Sequence, residues 1–391
     1  MDKHLQTGFN RPLFAIGFRP FFIMAGGAAL ALMLLWNALQ RGQLSLIEYY
    51  GASLWHGHEM LLGFTSAVIA GFLLTAVRHW SGQSTVSGPG LSALVLLWLY
   101  GRILPFYTGL LPDGFIALVE FSFLPALAYA TLPQLWRSSH GLALALTALL
   151  ASLIISNGWI HASVLELTES VATGVNLAVA TLIVLILVVA GKVMPFFTER
   201  GAGTVAIRNP VWDIASITGA VLSFALLLFG MGGWFLTLVA ALTVAVNGLR
   251  LIDWYTPKIW YLPLLWVLYL GYGWLIAGFA LIAVAGITDI SQSLIIHCFT
   301  VGGIGVITLG MMARVSLGHT GRPLKAPKII SAAFIALNLA VLIRAFAPIA
   351  APALYDLCLY WAALAWLLAF ALFVGYYTPM LLAPRIDAQR D

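Results

Sequence analysis

Long apolar stretches follow one another along almost the whole chain, and this feature most limits how the sequence can fold. Each stretch approaches the roughly 20 residues that a helix needs to cross the hydrocarbon of a bilayer. Only 8% of the residues are charged, whereas a soluble domain carries about 25%. Because lipid offers no partner to an open backbone, unbroken apolar runs of this length predict membrane-spanning helices.

We therefore predict an all-α, polytopic membrane bundle of about twelve transmembrane helices, in a single integral membrane domain over residues 1–391. The predicted spans are 20–39, 54–77, 91–109, 114–135, 141–162, 171–196, 211–230, 233–252, 261–285, 291–316, 328–347 and 352–379. The polar segment 1–11 leads directly into the first span, so we expect no cleaved signal peptide. Cys298 and Cys358 belong to no C-x-x-C pattern, which indicates neither a disulfide framework nor covalently attached haem.

Positive charges are divided unequally between the two sides of the predicted bundle. An even number of spans puts both termini on one side. Of the 19 Lys and Arg residues, only Arg41, Arg102 and Arg344 fall on the opposite side. The positive-inside rule then predicts cytoplasmic termini. The net charge of +5 is informative through where the charges lie, so it does not indicate nucleic-acid binding, and we expect the lipid bilayer and no nucleic acid as a partner.

Four histidines are predicted near one depth, on the side opposite the termini. His56 and His58 lie in the first turns of the second span, within the run WHGHEM at 55–60. His297 lies about 9 Å into the tenth span, and His161 ends the fifth. A single histidine at a helix end is usually an interfacial side chain. Several at one depth indicate a functional site, because ionisable residues inside a membrane are costly.

On a regular helix, His56 and His58 point about 200° apart, so they cannot both bind one ion. One could be an axial or copper ligand while the other serves a second metal or orients a ligand. Glu59 is our candidate catalytic residue, since it could anchor an imidazole N–H or transfer protons. An interfacial carboxylate is the equally plausible alternative. Glu120 is a second candidate for a proton path.

The tenth span carries His297 and then the small-residue run VGGIG at 301–305. Small residues allow another helix, or less commonly a flat macrocycle, to approach the backbone closely. If this span continues as a regular helix, His297 and His319 lie on the same face of the helix, about 33 Å from each other along its axis. The second span likewise carries a histidine near each end, His58 and His79. Two such spans could hold two metal centres, one in each leaflet.

Haem suits these sites, because it needs one or two axial imidazoles in an apolar slot. Copper is the other metal that clustered imidazoles favour. We therefore predict copper and one or two haem b groups as cofactors. Haem propionates need basic partners, for which Arg102 and Arg314 are candidates, although either could simply anchor the topology. The candidate metal ligands are His56, His58, His79, His161, His297 and His319.

With these histidines in place, the sequence resembles the NnrS family of bacterial haem- and copper-containing membrane proteins linked to nitric oxide. The matching runs are GFRPFF at 17–22, WHGHEM at 55–60, GFLLTAV at 71–77, KVMPFFT at 192–198 and the stretch 297–324. The resemblance implies a twelve-helix protein of the bacterial inner membrane that binds haem and copper and protects against nitrosative stress. The family's histidines match His56, His58, His297 and His319. Asn is usual at the position of His79, which argues against His79 as an essential ligand.

We therefore expect the protein to bind nitric oxide at a periplasm-facing haem or haem–copper site and to reduce it as a nitric oxide reductase does. Reduction of two NO molecules to nitrous oxide takes two protons and two electrons, from a donor that the sequence does not identify. Two other functions use the same residues. One is transport or export of a metal or a nitrosylated iron complex, which an inverted repeat would favour. The other is a non-catalytic haem-based sensor or buffer of nitric oxide.

Overall fold

The computed structural model describes residues 12–44 and 49–387. Within these residues lie twelve helices that are long and apolar enough to cross a membrane, which confirms the predicted all-α, twelve-span architecture. They are α1 (Phe18–Gln40), α2 (Ala52–Ser81), α3 (Gly88–Tyr107), α4 (Asp113–Trp136), α5 (His140–Val164), α6 (Val171–Ala202), α7 (Pro210–Leu228), α8 (Trp234–Trp254), α9 (Pro263–Ala285), α10 (Gln292–His319), α11 (Lys328–Ala350) and α12 (Pro352–Leu382). Every predicted span overlaps one of these helices. Segment 1–11, on which the signal-peptide prediction rests, lies outside the described residues.

Local sequence explains where several helices begin and end. Helix α7 begins at Pro210, directly after Asn209, whose side-chain oxygen accepts a hydrogen bond from the backbone N–H of Val211 at 3.1 Å. Proline tolerates the first helical turn because the N–H that it lacks has no partner within the helix there. Helix α2 is followed by Gly82 in the left-handed conformation, with φ of 66°, which is the usual glycine stop.

Three of the spans contain π-helical segments: Glu59–Phe64 in α2, Cys298–Val306 in α10 and Leu342–Phe346 in α11. A π turn holds more residues than an α turn. The side chains after it therefore point in directions rotated about the helix axis from those that a regular α-helix would give them. The prediction that His297 and His319 share a face assumed a regular helix. That assumption is wrong, because a π segment of 9 residues separates the two histidines.

The helices cluster into two compact units. The first contains the described residues up to 178 together with 314–323 and 373–387, and therefore α1 to α5 with the ends of α10 and α12. The second contains residues 179–313 and 324–372. The expectation that the whole chain forms one integral membrane domain stays a prediction.

Close helix packing and a buried cation hold the first unit together. A Cβ atom added to Gly71 of α2 would lie 2.6 Å from the ring of Phe22 in α1, so the glycine is what permits this approach. Arg19 of α1 is fully buried, and its guanidinium donates hydrogen bonds to the carbonyl oxygens of Leu381, at 3.0 Å, and Ala383, at 2.6 Å. These bonds join the start of α1 to the end of α12.

The second unit is organised around another buried guanidinium, that of Arg250 in α8. Its Nε and Nη2 atoms lie 2.9 and 2.7 Å from Oδ1 of Asp213. Nη1 donates to the hydroxyls of Ser216 and Tyr272, and Nη2 also reaches the carbonyl oxygen of Leu187 at 3.2 Å. One side chain thereby links α6, α7, α8 and α9, and its charge is balanced by a carboxylate.

Neighbouring side chains cover the small-residue run of α10. A Cβ atom on Gly302 would lie 2.6 Å from Cβ of Trp274 in α9, and one on Gly305 would lie 2.9 Å from the ring of Trp366 in α12. Of the two explanations for this run, the described contacts support helix packing. They leave no slot for a flat macrocycle against these two glycines.

This packing predicts that Gly302→Ala destabilises the protein. The added methyl group meets the Cβ of Trp274, which cannot move without its helix, and overpacking of this kind costs about 1–3 kcal/mol. Gly273→Ala in α9 is the matched control, because nothing lies within 4 Å of the added atom and alanine favours a helix. Thermal unfolding in mild detergent measures both. A Gly302→Ala protein as stable as Gly273→Ala would contradict the packing described.

Candidate metal centre

His58 and Glu59 lie where α2 changes from α- to π-helical geometry. His58 is the last residue of the first α-helical segment, and Glu59 opens the π segment. Their exposures are 0% and 1%, so neither is an interfacial side chain. The interfacial alternative for Glu59 is therefore wrong. Single π turns within α-helices are frequent at functional sites, because they redirect side chains that a regular helix would separate.

His58, Glu120 and His161 form a buried triad. One ligand atom from each lies within 4.8 Å of those of the other two. Nε2 of His161 lies 2.6 Å from Oε2 of Glu120, and Nε2 of His58 lies 3.6 Å from Oε1 of the same carboxylate. The residues come from α2, α4 and α5. Two imidazoles and one carboxylate are a donor set that suits copper, iron or zinc.

Further polar groups orient the triad. Asn157, one helical turn before His161 in α5, donates from Nδ2 to Oε2 of Glu120 at 2.7 Å. Its Oδ1 lies 3.2 Å from Nε2 of His58. The other ring nitrogen of His58 lies 3.0 Å from Oε1 of Glu59. Such contacts fix the rotation of an imidazole ring, as the outer partners of metal-binding histidines commonly do.

Two tyrosines just before α2 complete the surroundings of the histidines. The Tyr49 hydroxyl lies 2.9 Å from Nδ1 of His161, and that of Tyr50 lies 3.2 Å from Nε2 of His58. Burial, reinforced by the charge of Glu120, raises the pKa of both phenols above the ordinary value. Both hydroxyls therefore keep their protons at neutral pH when no metal is bound, and they act as neutral hydrogen-bonding groups.

Arg102 of α3 supplies the positive charge of the centre. Its Nη2 pairs directly with Oε1 of Glu120, and its Nη1 lies 3.4 Å from Oε2 of Glu59. One guanidinium facing two buried carboxylates leaves one negative charge over. A cation at the triad would balance this charge, and an imidazole can also do so when it is protonated. Because Arg102 already pairs with two protein carboxylates, its role toward a haem propionate stays a prediction.

The other predicted ligands have different surroundings. His56 stacks on Trp36, with ring centroids 4.3 Å apart, and is not a member of the triad. In the second unit, Nδ1 of His297 lies 2.7 Å from the carbonyl oxygen of Ser293. A carbonyl only accepts, so Nδ1 carries the hydrogen and Nε2 presents its lone pair. The predicted grouping of four histidines thus yields one described pair, His58 with His161.

His79 and His319 line a cavity of about 330 Å³ in the first unit, together with Ile16, Thr75, Arg78, Gly82 and Arg385. His319 is the last residue of α10, and its ring packs against that of Phe18 at a centroid distance of 5.6 Å. The cavity thus brings together two imidazoles and two guanidinium groups. Arg314, the second candidate for a propionate, is 5% exposed and does not line this cavity.

Sequence reasoning underestimated Glu120 and missed Asn157, Tyr49 and Tyr50. Glu120 was considered only for a proton path, although it is a lone carboxylate within the apolar interior of α4. Asn157 and His161 are four residues apart, a spacing that puts both on one helix face. That spacing was readable from the sequence. The tyrosines offered no comparable signal, because they belong to no periodic segment.

The buried charges predict that Glu120→Ala strongly destabilises the protein. The substitution leaves His161 without its carboxylate partner and leaves Arg102 with only Glu59, 3.4 Å away, and loss of one member of a buried ion pair costs about 3–5 kcal/mol. Glu169→Ala, at an exposed carboxylate, is the control and should stay within about 0.5 kcal/mol of the parent. Equal melting temperatures for the two variants in detergent would show that the triad does not support the fold.

Comparison with known proteins gives one family match. A family model described as NnrS protein matches residues 12–385. Among curated proteins, none matches the chain. The family match extends from the start of the described residues almost to their end and includes every residue of the triad. The protein therefore belongs to the NnrS family.

Proposed function

We propose that this protein is a metalloprotein of the bacterial inner membrane that holds copper at His58, His161 and Glu120 and acts on nitric oxide. The observation that carries the proposal is the convergence of three buried ligand atoms within 4.8 Å. Family membership suggests a role in the response to nitric oxide. The unequal distribution of positive charge supports cytoplasmic termini.

The chemistry of the donor set supports copper. Imidazole nitrogens favour copper, and divalent copper binds a given nitrogen and oxygen site more tightly than its neighbours in the first transition row. The negative charge left over by Glu59, Glu120 and Arg102 favours a cation. Copper bound there would supply the affinity for nitric oxide and the electron transfer that its reduction requires.

The surrounding residues have separate tasks in this proposal. Glu59 holds a proton between its Oε1 and Nδ1 of His58, 3.0 Å away, and is placed to deliver it during reduction. Asn157 and Arg102 keep the Glu120 carboxylate in position. Burial of the whole centre excludes bulk water, while a small apolar gas can enter from the lipid.

We further propose the cavity beside His319 as the place for a haem b group. The imidazoles of His79 and His319 would hold the haem iron there, and Arg78 and Arg385 would pair with the propionates. Arg385 is held there by Asp387, whose Oδ2 lies 2.6 Å from Nη2. Because Asn is usual in the family at the position of His79, we assign the principal ligand role to His319.

Copper content tests the centre directly. We expect purified protein, reconstituted with copper and desalted, to hold one copper per chain by elemental analysis. His161→Ala should lower the copper affinity by more than the roughly 10–100-fold that loss of an outer-shell partner costs. His56→Ala is the matched control and should keep the metal, since His56 stacks on Trp36 outside the triad. Equal copper loss in both variants would remove the triad as the site.

Consumption of nitric oxide tests whether the bound metal turns the gas over. With a chemical electron donor and the copper site saturated, Glu59→Gln should consume nitric oxide about 10²–10⁴-fold more slowly, because it lacks the acid–base group. Glu169→Gln should match the parent. If the copper-loaded parent binds nitric oxide but never consumes it, the sensor or buffer function replaces the reductase. Protein that folds but takes up neither copper nor haem would favour the transporter.

A further inference from the structure

Arg344, in the π segment of α11, is a buried cation with no acidic partner among the residues that the structure describes. It is 8% exposed, and its Nη2 donates to Oγ of Ser293 at 2.8 Å. The same nitrogen lies 3.4 Å from Nε2 of His297. The Tyr355 ring lies against the guanidinium, with its centroid 5.9 Å from Cζ. Within residues 12–44 and 49–387, no Asp or Glu side chain forms an ion pair with Arg344.

Two other arginines, which do form ion pairs, show what Arg344 lacks. Arg102 faces two glutamates, and Arg250 is paired with Asp213. A guanidinium inside a membrane span is costly unless its charge is balanced. Serine, tyrosine and a neutral imidazole contribute dipoles but no negative charge. The surroundings of Arg344 are therefore short of one negative charge.

One nitrogen of the Arg344 guanidinium has no described acceptor, while another is held by protein groups. His297 carries its hydrogen on Nδ1, so its Nε2 lone pair accepts from Nη2 of Arg344 and holds that edge in place. Nη1 is buried and makes no hydrogen bond to any described residue. Ser293 Oγ lies beside the guanidinium and has its own hydrogen to donate.

We propose that Arg344 and Ser293, positioned by His297, form a binding site for a small planar oxyanion such as nitrite or formate. A guanidinium presents parallel N–H groups that match two oxygens on one atom, which makes such anions better partners than a spherical halide. The anion supplies the missing negative charge and accepts a hydrogen bond from Nη1, which has no other described acceptor. The site lies within the second unit and does not depend on copper at His58.

Anion titration of the metal-free protein tests the proposal. The full chain is placed in phosphatidylcholine nanodiscs in a sulfonate buffer, and sodium nitrite or sodium formate is added at constant ionic strength. We expect saturable one-site binding by calorimetry and a rising melting temperature. Arg344→Lys keeps the charge but loses the parallel N–H groups of the guanidinium, so its affinity for the anions should fall at least tenfold. Arg344→Gln should show no saturable binding.

Arg208→Gln is the control for loss of an arginine, because Arg208 is exposed and already paired with Glu199 at 2.7 Å. It should bind both anions like the parent. Arg344→Gln should melt no lower than the parent in anion-free buffer, because it removes an unbalanced buried charge. If it fails to fold, Ser293→Ala provides the second test, with a several-fold weaker affinity expected.

Three results would overturn the proposal. The first is an Arg344→Gln protein that binds nitrite as tightly as the parent. The second is a parent that binds neither anion saturably. The third is an Arg344-dependent rise in melting temperature that follows the phosphatidylglycerol content of the nanodisc and not the added nitrite or formate. The occupant would then be a headgroup phosphate. None of these results changes the copper measurements on His161→Ala, so the two proposals fail separately.

Discussion

Two buried carboxylates, those of Glu59 and Glu120, share the guanidinium of Arg102 within a unit of membrane-spanning helices. The packing around them depends on how their charge is stabilised. A carboxylate loses its hydration when it is buried, and only opposite charge and hydrogen bonds can replace that loss. Glu59 and Glu120 obtain both from Arg102, His58 and His161. Because these partners come from α2, α3, α4 and α5, the same interaction that keeps the charges buried also fixes the packing of four helices.

Each of the three π segments contains an ionisable residue or directly follows one. One begins directly after His58, another directly after His297, and the third contains Arg344. A π turn widens the helix and sacrifices regular hydrogen bonding, so it persists where packing or function compensates it. In each case it changes the direction of the residues beyond it relative to those before it.

The two units treat buried charge in opposite ways. Around His58 the carboxylates outnumber the guanidinium by one, and the cation that we propose there would restore the balance. Around Arg344 the partners among the described residues are neutral, and the anion that we propose there would restore the balance. Both proposals follow from the cost of an unbalanced charge in a low-dielectric interior.

The sequence by itself determined the twelve spans, because hydropathy is a local property and each stretch had to satisfy its backbone within itself. It also singled out His58, Glu59 and His161, since ionisable residues are conspicuous in apolar segments. Only the tertiary structure decided that Glu120 joins these histidines, that His56 stacks on Trp36, and that Arg344 pairs with Ser293 and with no carboxylate among the described residues. Those facts depend on which helix faces meet. A regular rotation of 100° per residue could not give those faces once π segments had shifted them.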